Sequence, residues 1–174
     1  IDLYYAHIDH RADDLEETLE AFNTLITSGK VKHIGCSNYK TWRIEEARQI
    51  SKHHGWAPYQ AVQQFHTYLQ PKPGSFTHSI VEYADDGLLD YCRENKDITL
   101  LAYTPLLWGM YTVKERREET PQWNNYNTPE NIARLEILEK IAGQTGATIN
   151  QIIYAWMMQG NPRVIPLVAV SKLE

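Results

Sequence analysis

Hydrophobic runs of strand length alternate along the chain with segments of helical periodicity. Runs rich in Val, Ile, Leu and Tyr predict strands at residues 1–8, 30–37, 60–65, 98–103 and 163–170. Apolar residues three and four positions apart predict helices at residues 13–28, 40–54, 79–95, 128–143 and 148–159. The predicted strands start roughly 30 residues or more apart, which is typical of βα units in a parallel sheet covered by helices.

One segment, residues 108–127, shows neither pattern. It is polar and aromatic without a clean period, and its length indicates a functional loop. Its large aromatic side chains either line a ligand pocket or pack over the rim of the sheet, and the sequence leaves both interpretations open. These side chains are Trp108, Tyr111, Trp123 and Tyr126. The charged run at 114–119 is interpreted as a solvated face, with contact to a cofactor phosphate as the alternative.

The number of predicted strands limits the architecture. A closed (β/α)8 barrel typically takes about 250 residues, and this chain has 174. The first predicted strand begins at Ile1, and no helix follows the last one. We therefore expect a single α/β domain over residues 1–174 that forms a partial (β/α)8 TIM barrel, with about five parallel strands and covering helices. Such a domain has an unpaired sheet edge on each side, which predicts self-association through those edges.

Composition and charge narrow the class of protein. The apolar fraction of 43% is sufficient for a globular core. A net charge of −5 and a pI of about 5.8 argue against binding to nucleic acid or to an anionic membrane. No apolar run approaches the roughly 20 residues of a membrane span, and the N-terminus lacks the basic region of a signal peptide. With Cys36 and Cys92 interpreted as free thiols, these features predict a soluble cytoplasmic protein.

Polar or aromatic residues follow every predicted strand. In parallel α/β folds ligands bind at the carboxyl ends of the strands, so these residues are the candidates for chemistry. They are His7, Ser37, Asn38, Gln63 to His66, Tyr103 to Leu106, and Ser171 with Lys172. Their recurrence at all the strand ends predicts a ligand that lies across this edge of the sheet.

His7 allows two functional interpretations, and a structural one in which it is a hydrogen-bonded histidine at a strand end. A general acid or carbonyl-orienting donor needs a single imidazole at a strand end, and His7 is placed for that role. A metal site would need His7, Asp9 and His10 to face one centre, but residues three apart on a strand point to opposite faces. A metal-dependent hydrolase, which this cluster would support, is kept as a further hypothesis beside the two functions described at the end of this section.

Several segments together resemble the aldo-keto reductase family. They are DLYYAH at residues 2–7, GKVKHIGCSN at 29–38, Gln63 ahead of Tyr68, AYTPL at 102–106 with Gly109, and VIPL at 164–167 ahead of Ser171 and Lys172. The motifs occur in the family's order and at compatible spacings across essentially the whole chain. The combination of GKV-x-x-IG-x-SN with AYTPL is specific. The match would correspond to the family's barrel from its fourth to its eighth strand.

The resemblance implies roles for the residues at the strand ends. His7 would be the histidine of the family's catalytic tetrad, which polarises and orients the substrate carbonyl. Ser37, Asn38 and Gln63 would bind the carboxamide of the nicotinamide. Tyr103 would stack on the nicotinamide ring.

The resemblance also implies where the phosphates of the cofactor bind. A turn after the fourth predicted strand would wrap the pyrophosphate with backbone donors. Its residues run from Thr104 through Pro105 and Leu106 to Gly109. Ser171 and Lys172 would bind the adenosine 2′-phosphate, which favours NADPH over NADH as the cofactor.

The implied function is NADPH-dependent reduction of aldehyde or ketone carbonyls, with a small-molecule carbonyl compound as substrate. In the family, the tyrosine, lysine and aspartate of the tetrad precede the D-L-Y-x-x-H strand. They would therefore lie outside this chain, and residues 1–174 alone are expected to be inactive. The alternative is a reductase-like subunit that binds nucleotide and has a regulatory, non-catalytic role.

Overall fold

The computed structural model describes residues 1–76 and 80–169. Within these ranges, five strands form one parallel sheet in the order in which they occur along the chain. They are β1 (Leu3–Ala6), β2 (His33–Ser37), β3 (Ala61–Phe65), β4 (Thr99–Tyr103) and β5 (Val164–Pro166). The predicted α/β class and the parallel order of the strands are confirmed.

Helices connect the strands. They are α1 (Leu15–Thr27), α2 (Thr41–His54), α3 (Asp86–Glu94), α4 (Glu115–Glu119), α5 (Pro129–Thr145) and α6 (Ile149–Gln159). Gly55 and Gly146 end α2 and α5 with φ of 68° and 72°, a left-handed conformation that glycine adopts without a Cβ clash. Within residues 1–76 and 80–169, each helix is too short or too polar to serve as a membrane span.

Two parts of the predicted element map are wrong. The helix predicted at 79–95 begins at Asp86, because the side chain of Asp85 caps its first turn by accepting the backbone N–H of Leu88 at 2.9 Å. Residues 77–79 lie outside the described residues. The segment 108–127 is not irregular, since it contains α4 and a 3-10 helix at Pro121–Asn125.

Alternation along the strands separates a core face from a half-open face. In β4, Leu100 and Ala102 are buried, whereas Leu101 and Tyr103 are partly exposed. Gln63 of β3 lies opposite Leu101, so Gln63 and Tyr103 belong to the half-open face. The core forms on the other face, and the candidate functional residues are left at the half-open face and at the strand ends.

Gly35 allows β2, β3 and the Tyr5 ring to approach one another closely. A Cβ at this position would lie 2.5 Å from the carbonyl oxygen of Ala61 and 2.7 Å from Cε1 of Tyr5. The carbonyl oxygen belongs to the neighbouring strand and cannot retreat without separating the two strands. We expect Gly35→Ala to lower the free energy of unfolding by about 1–3 kcal/mol, measured by urea denaturation at constant m value.

The matched control is Gly143→Ala. Gly143 lies inside α5, and a Cβ there would meet no atom within 4 Å. Because alanine favours a helix more than glycine does, this variant should gain about 0.5–1 kcal/mol. Equal denaturation midpoints for Gly35→Ala and the unsubstituted protein would contradict the close approach described above.

Candidate functional site

The carboxyl ends of β1 to β4 surround a cavity of about 350 Å³. Its lining includes the predicted site residues His7, Ser37, Asn38, Gln63 and Tyr103. The rest of the wall is apolar and is formed by Ile8, Ile80 and Val81. Ser37, the last residue of β2, lies opposite Gln63 in the middle of β3, so the two side chains are at the same height on the sheet.

Asn38 joins the strand ends to one another. Its Nδ2 donates to the carbonyl oxygen of His7 and to Oγ of Ser37, both at 3.1 Å. Its Oδ1 accepts the hydroxyl of Tyr103 at 2.7 Å and the backbone N–H of Glu82 at 3.2 Å. The amide is thus engaged through both its nitrogen and its oxygen, and it links the segments that follow β1 and β3 to the last residue of β4.

Asn38 adopts a left-handed backbone conformation that Gln64 stabilises. The φ of Asn38 is 59°, a region that asparagine tolerates better than most residues. Oε1 of Gln64 accepts the N–H of Asn38 at 2.5 Å, and its Nε2 donates to the carbonyl oxygen of Tyr39 at 2.8 Å. Sequence analysis included Gln64 among the strand-end candidates but did not predict that it supports Asn38. The available signal was the adjacent pair Gln63 and Gln64, because alternation along a strand turns one to the cavity and the other to the core.

Tyr103 is held in place at the cavity wall. Burial raises the pKa of Tyr103 to about 12, and the charge of Glu82 acts in the same direction. The phenol is therefore protonated at neutral pH and is the donor to Oδ1 of Asn38. The ring of Phe65 packs edge-on against the Tyr103 ring, with centroids 5.6 Å apart and planes at 90°.

After Tyr103 the chain turns with unusual backbone angles. Thr104, Leu107 and Trp108 have φ of 54°, 48° and 52°, and Gly109 has 84°. For residues that carry a Cβ, this conformation costs on the order of 1–3 kcal/mol each, so surrounding contacts must impose it. We call residues 104–109 the strained turn.

The strained turn contains four predicted site residues, Thr104, Pro105, Leu106 and Gly109. It continues from Tyr103 and does not contribute to the lining of the cavity described above. The carbonyl oxygen of Pro105 accepts a hydrogen bond from Oγ1 of Thr67 at 2.8 Å, and this bond fastens the turn to the segment after β3. The predicted site residues Ser171 and Lys172 lie outside the described residues.

Most of the aromatic side chains of residues 108–127 pack over the rim. Tyr111, Trp123 and Tyr126 are buried, whereas Trp108 is 47% exposed. The hydroxyl of Tyr111 lies 2.6 Å from Oγ1 of Thr67. Of the two interpretations that the sequence left open, rim packing therefore applies to Tyr111, Trp123 and Tyr126.

His7, Asp9 and His10 do not form one site. The carboxylate of Asp9 forms ion pairs with Arg11 and Arg43. Asp9 and His10 line a separate cavity of about 160 Å³, whereas His7 lines the larger one. In the part of the chain that the structure describes, no group of three or more His, Cys, Asp or Glu side chains is placed to hold a metal ion. This geometry gives no support to the hypothesis of a metal-dependent hydrolase.

The cavity and its strand ends agree with the similarities of the chain to known proteins. A family model described as "Aldo/keto reductase family" matches residues 1–174. Norsolorinic acid reductase B of Dothistroma septosporum is 26% identical and covers the whole chain, which spans 43% of that protein. Aldo-keto reductase yakc [NADP(+)] of Schizosaccharomyces pombe is also 26% identical over the whole chain, which spans 50% of that protein.

The fold is likewise similar to part of larger solved structures. A thermostable aldo-keto reductase, Tm1743, in complex with the inhibitor epalrestat is 28% identical, with a TM-score of 0.68. The similarity covers 99% of this chain and 50% of that one. The chain thus spans about half the length of the relatives it matches. Its five strands and their helices form part of a (β/α)8 barrel.

The hydrogen bonds of Asn38 predict a specific cost for its substitution. Asn38→Asp keeps the shape and the acceptor for Tyr103 but places a carboxylate oxygen against the carbonyl of His7. We expect a loss of about 1–3 kcal/mol in the free energy of unfolding, measured by urea denaturation. Asn127→Asp, at an exposed position, should change it by less than about 0.5 kcal/mol. The account of Asn38 is wrong if the two variants are equally stable.

His66, directly after β3, predicts a pH dependence of stability. It is 3% exposed and stacks on Trp156 with ring centroids 5.4 Å apart. Burial lowers the pKa of His66 to about 4, so the unfolded chain, with a histidine pKa near 6.5, binds the proton more tightly. Stability should therefore fall by up to about 3 kcal/mol as the pH drops from about 6.5 to about 4. His66→Gln should remove this contribution, and parallel pH profiles for both proteins in urea denaturation would refute it.

Proposed function

The chain belongs to the aldo/keto reductase family, and we propose that its full protein is an NADPH-dependent oxidoreductase that reduces aldehyde or ketone carbonyls to alcohols. One observation carries the proposal. The ends of four neighbouring strands bring the side chains of His7, Ser37, Asn38, Gln63 and Tyr103 to one cavity. A carbonyl-orienting imidazole, amide and hydroxyl groups and an aromatic ring are the groups that such a reaction needs beside a nicotinamide.

The side chains around the cavity suit the nicotinamide end of the cofactor. A carboxamide needs both donors and acceptors, and Gln63 offers both. Ser37 Oγ accepts a hydrogen bond from Asn38, which leaves its own O–H free to donate to the carboxamide. The amide of Asn38 is already engaged with protein groups, so its main contribution is to position its neighbours. NADPH, when bound, supplies the hydride that reduces the carbonyl carbon.

His7 orients the substrate in this proposal. The bond from Asn38 to its backbone carbonyl fixes His7 at the cavity, where an imidazole N–H can donate to the substrate carbonyl oxygen and polarise it. The proton for that oxygen comes from the tyrosine that the family resemblance places outside residues 1–174. Ile8, Ile80 and Val81 supply an apolar wall for the carbon skeleton of the substrate.

Two other segments bind the phosphates of the cofactor in this proposal. The strained turn, with Thr104, Pro105, Leu106 and Gly109, contacts the pyrophosphate. Ser171 and Lys172 bind the 2′-phosphate, and this dianion is the basis for proposing NADPH rather than NADH. The relative from Schizosaccharomyces pombe, which carries NADP(+) in its name, supports this choice.

The activity test compares His7 with a histidine at the other end of a neighbouring strand. In the full protein, His7→Gln should lower kcat for a panel of aldehydes by about 100-fold and leave the Kd for NADPH within about twofold. The control is His33→Gln, because His33 is exposed and bonds to Gln60 at 2.7 Å, at the start of β2. NADPH oxidation and fluorescence titration supply the two readouts.

Three outcomes are informative. Equal loss of kcat in both histidine variants would contradict the role of His7. Binding of NADPH without turnover by the full protein would favour the non-catalytic, regulatory alternative. For residues 1–174 alone we expect binding without turnover, and measurable aldehyde-dependent oxidation of NADPH would refute that expectation.

A further inference from the structure

Two neighbouring arginines of α4 bind the backbone just after Tyr103. Nη1 of Arg116 donates to the carbonyl oxygen of Trp108 at 2.6 Å. Arg117 is bidentate, with Nε 2.6 Å from the carbonyl oxygen of Met110 and Nη2 3.0 Å from that of Tyr111. Charge-assisted hydrogen bonds of this kind are stronger than neutral ones. The sequence interpretation of 114–119 as a solvated face is therefore wrong for Arg117, which is half-buried, whereas Arg116 remains exposed.

The arginines complete the pairing of the backbone carbonyls around the strained turn. Every carbonyl oxygen from Thr104 to Tyr111 accepts a hydrogen bond from the protein. Three of these, on Trp108, Met110 and Tyr111, have no donor other than the arginines among the residues that the structure describes. Carbonyl oxygens repel an anion, whereas N–H groups attract it. Binding the carbonyls to Arg116 and Arg117 keeps them from facing a phosphate.

The same contacts lie beside a strained backbone. Leu107 and Trp108 adopt positive φ although both carry a Cβ, which persists only where the surroundings hold it. Gly109 lets the guanidinium lie close over the turn, because a Cβ there would be 2.8 Å from Nη1 of Arg116. Arg117 is itself fixed, with its guanidinium 5.5 Å from the centroid of the Trp123 ring. The anchored Arg117 and the exposed Arg116 thus bind the C-terminal side of the strained turn and the two residues that follow it.

We propose that Arg117, assisted by Arg116, is a positioning residue that holds the strained turn in the conformation that receives the cofactor pyrophosphate. This inference rests on the proposed function, since it requires a dinucleotide at the turn. Arg117 acts through the backbone of residues 110 and 111, and not through its own contact with the cofactor. Its effect is therefore confined to ligands that carry a pyrophosphate.

The test measures the Kd of two ligands for the full protein and for its conservative variant Arg117→Lys. Adenosine 2′-monophosphate carries the adenosine and 2′-phosphate of NADPH but no pyrophosphate. Arg117→Lys keeps the positive charge, but the lysine ammonium lacks the planar guanidinium that binds the carbonyls of Met110 and Tyr111 together. It should raise the Kd for NADPH by about tenfold and that for adenosine 2′-monophosphate by less than about twofold, measured by isothermal titration calorimetry.

Lys114→Met is the charge control. Lys114 is exposed and lies three residues before Arg117, so this variant removes a nearby positive charge without touching the turn carbonyls. Its Kd for NADPH should stay within about twofold of the unsubstituted value. A loss as large as that of Arg117→Lys would overturn the proposal.

The remaining outcomes also support or overturn the proposed role of Arg117. An unchanged Kd for NADPH in Arg117→Lys, or a parallel loss for both ligands, would overturn the positioning role, since a parallel loss is what general destabilisation produces. If the unsubstituted protein binds neither ligand, the proposed function itself fails and the inference falls with it. Binding of both ligands by the unsubstituted protein, with a selective loss in Arg117→Lys, supports both.

Discussion

The side-chain amide of Asn38 is the interaction on which the arrangement of the strand ends depends. Parallel pairing brings the ends of β1 to β4 to one edge, but it does not fix the segments that follow them. Asn38 does so, by binding the His7 carbonyl, the Tyr103 hydroxyl and the Glu82 N–H. A buried amide left without these partners would carry its full desolvation cost, so the loss of any one of these hydrogen bonds is costly.

A second set of contacts holds the rim above the sheet. Asn131 of α5 is 1% exposed, and its Nδ2 donates to the carbonyl oxygens of Gln70 and Tyr126, both at 2.7 Å. Together with the Tyr111 hydroxyl, which accepts the N–H of Leu69 at 2.9 Å, it fastens the segments after β3 and β4 to each other. These segments are long, and polar side chains bound to backbone groups give them the order that strand pairing gives the sheet.

Sequence periodicity was sufficient for the strand positions and for the residues at strand ends. The pattern placed His7, Ser37 and the run from Gln63 to His66 at strand ends, and the family resemblance singled out Gln63 within that run. The role of Gln64 required knowledge that Asn38 has a positive φ, and the role of Arg117 required the positions of carbonyls six and seven residues earlier. Such contacts depend on side-chain direction in folded segments without a period, so no pattern of apolar and polar residues predicts them.

The proposed function requires that the cavity at the strand ends binds a nicotinamide. The most direct measurement is a titration with nicotinamide mononucleotide, followed in ¹H–¹⁵N spectra through the side-chain amides of the full protein. We expect saturable shifts of the Gln63 amide and, to a lesser degree, of the Asn38 amide, and no shift of the exposed amides of Asn127 and Gln144. Saturable shifts elsewhere with none at Gln63 would contradict it.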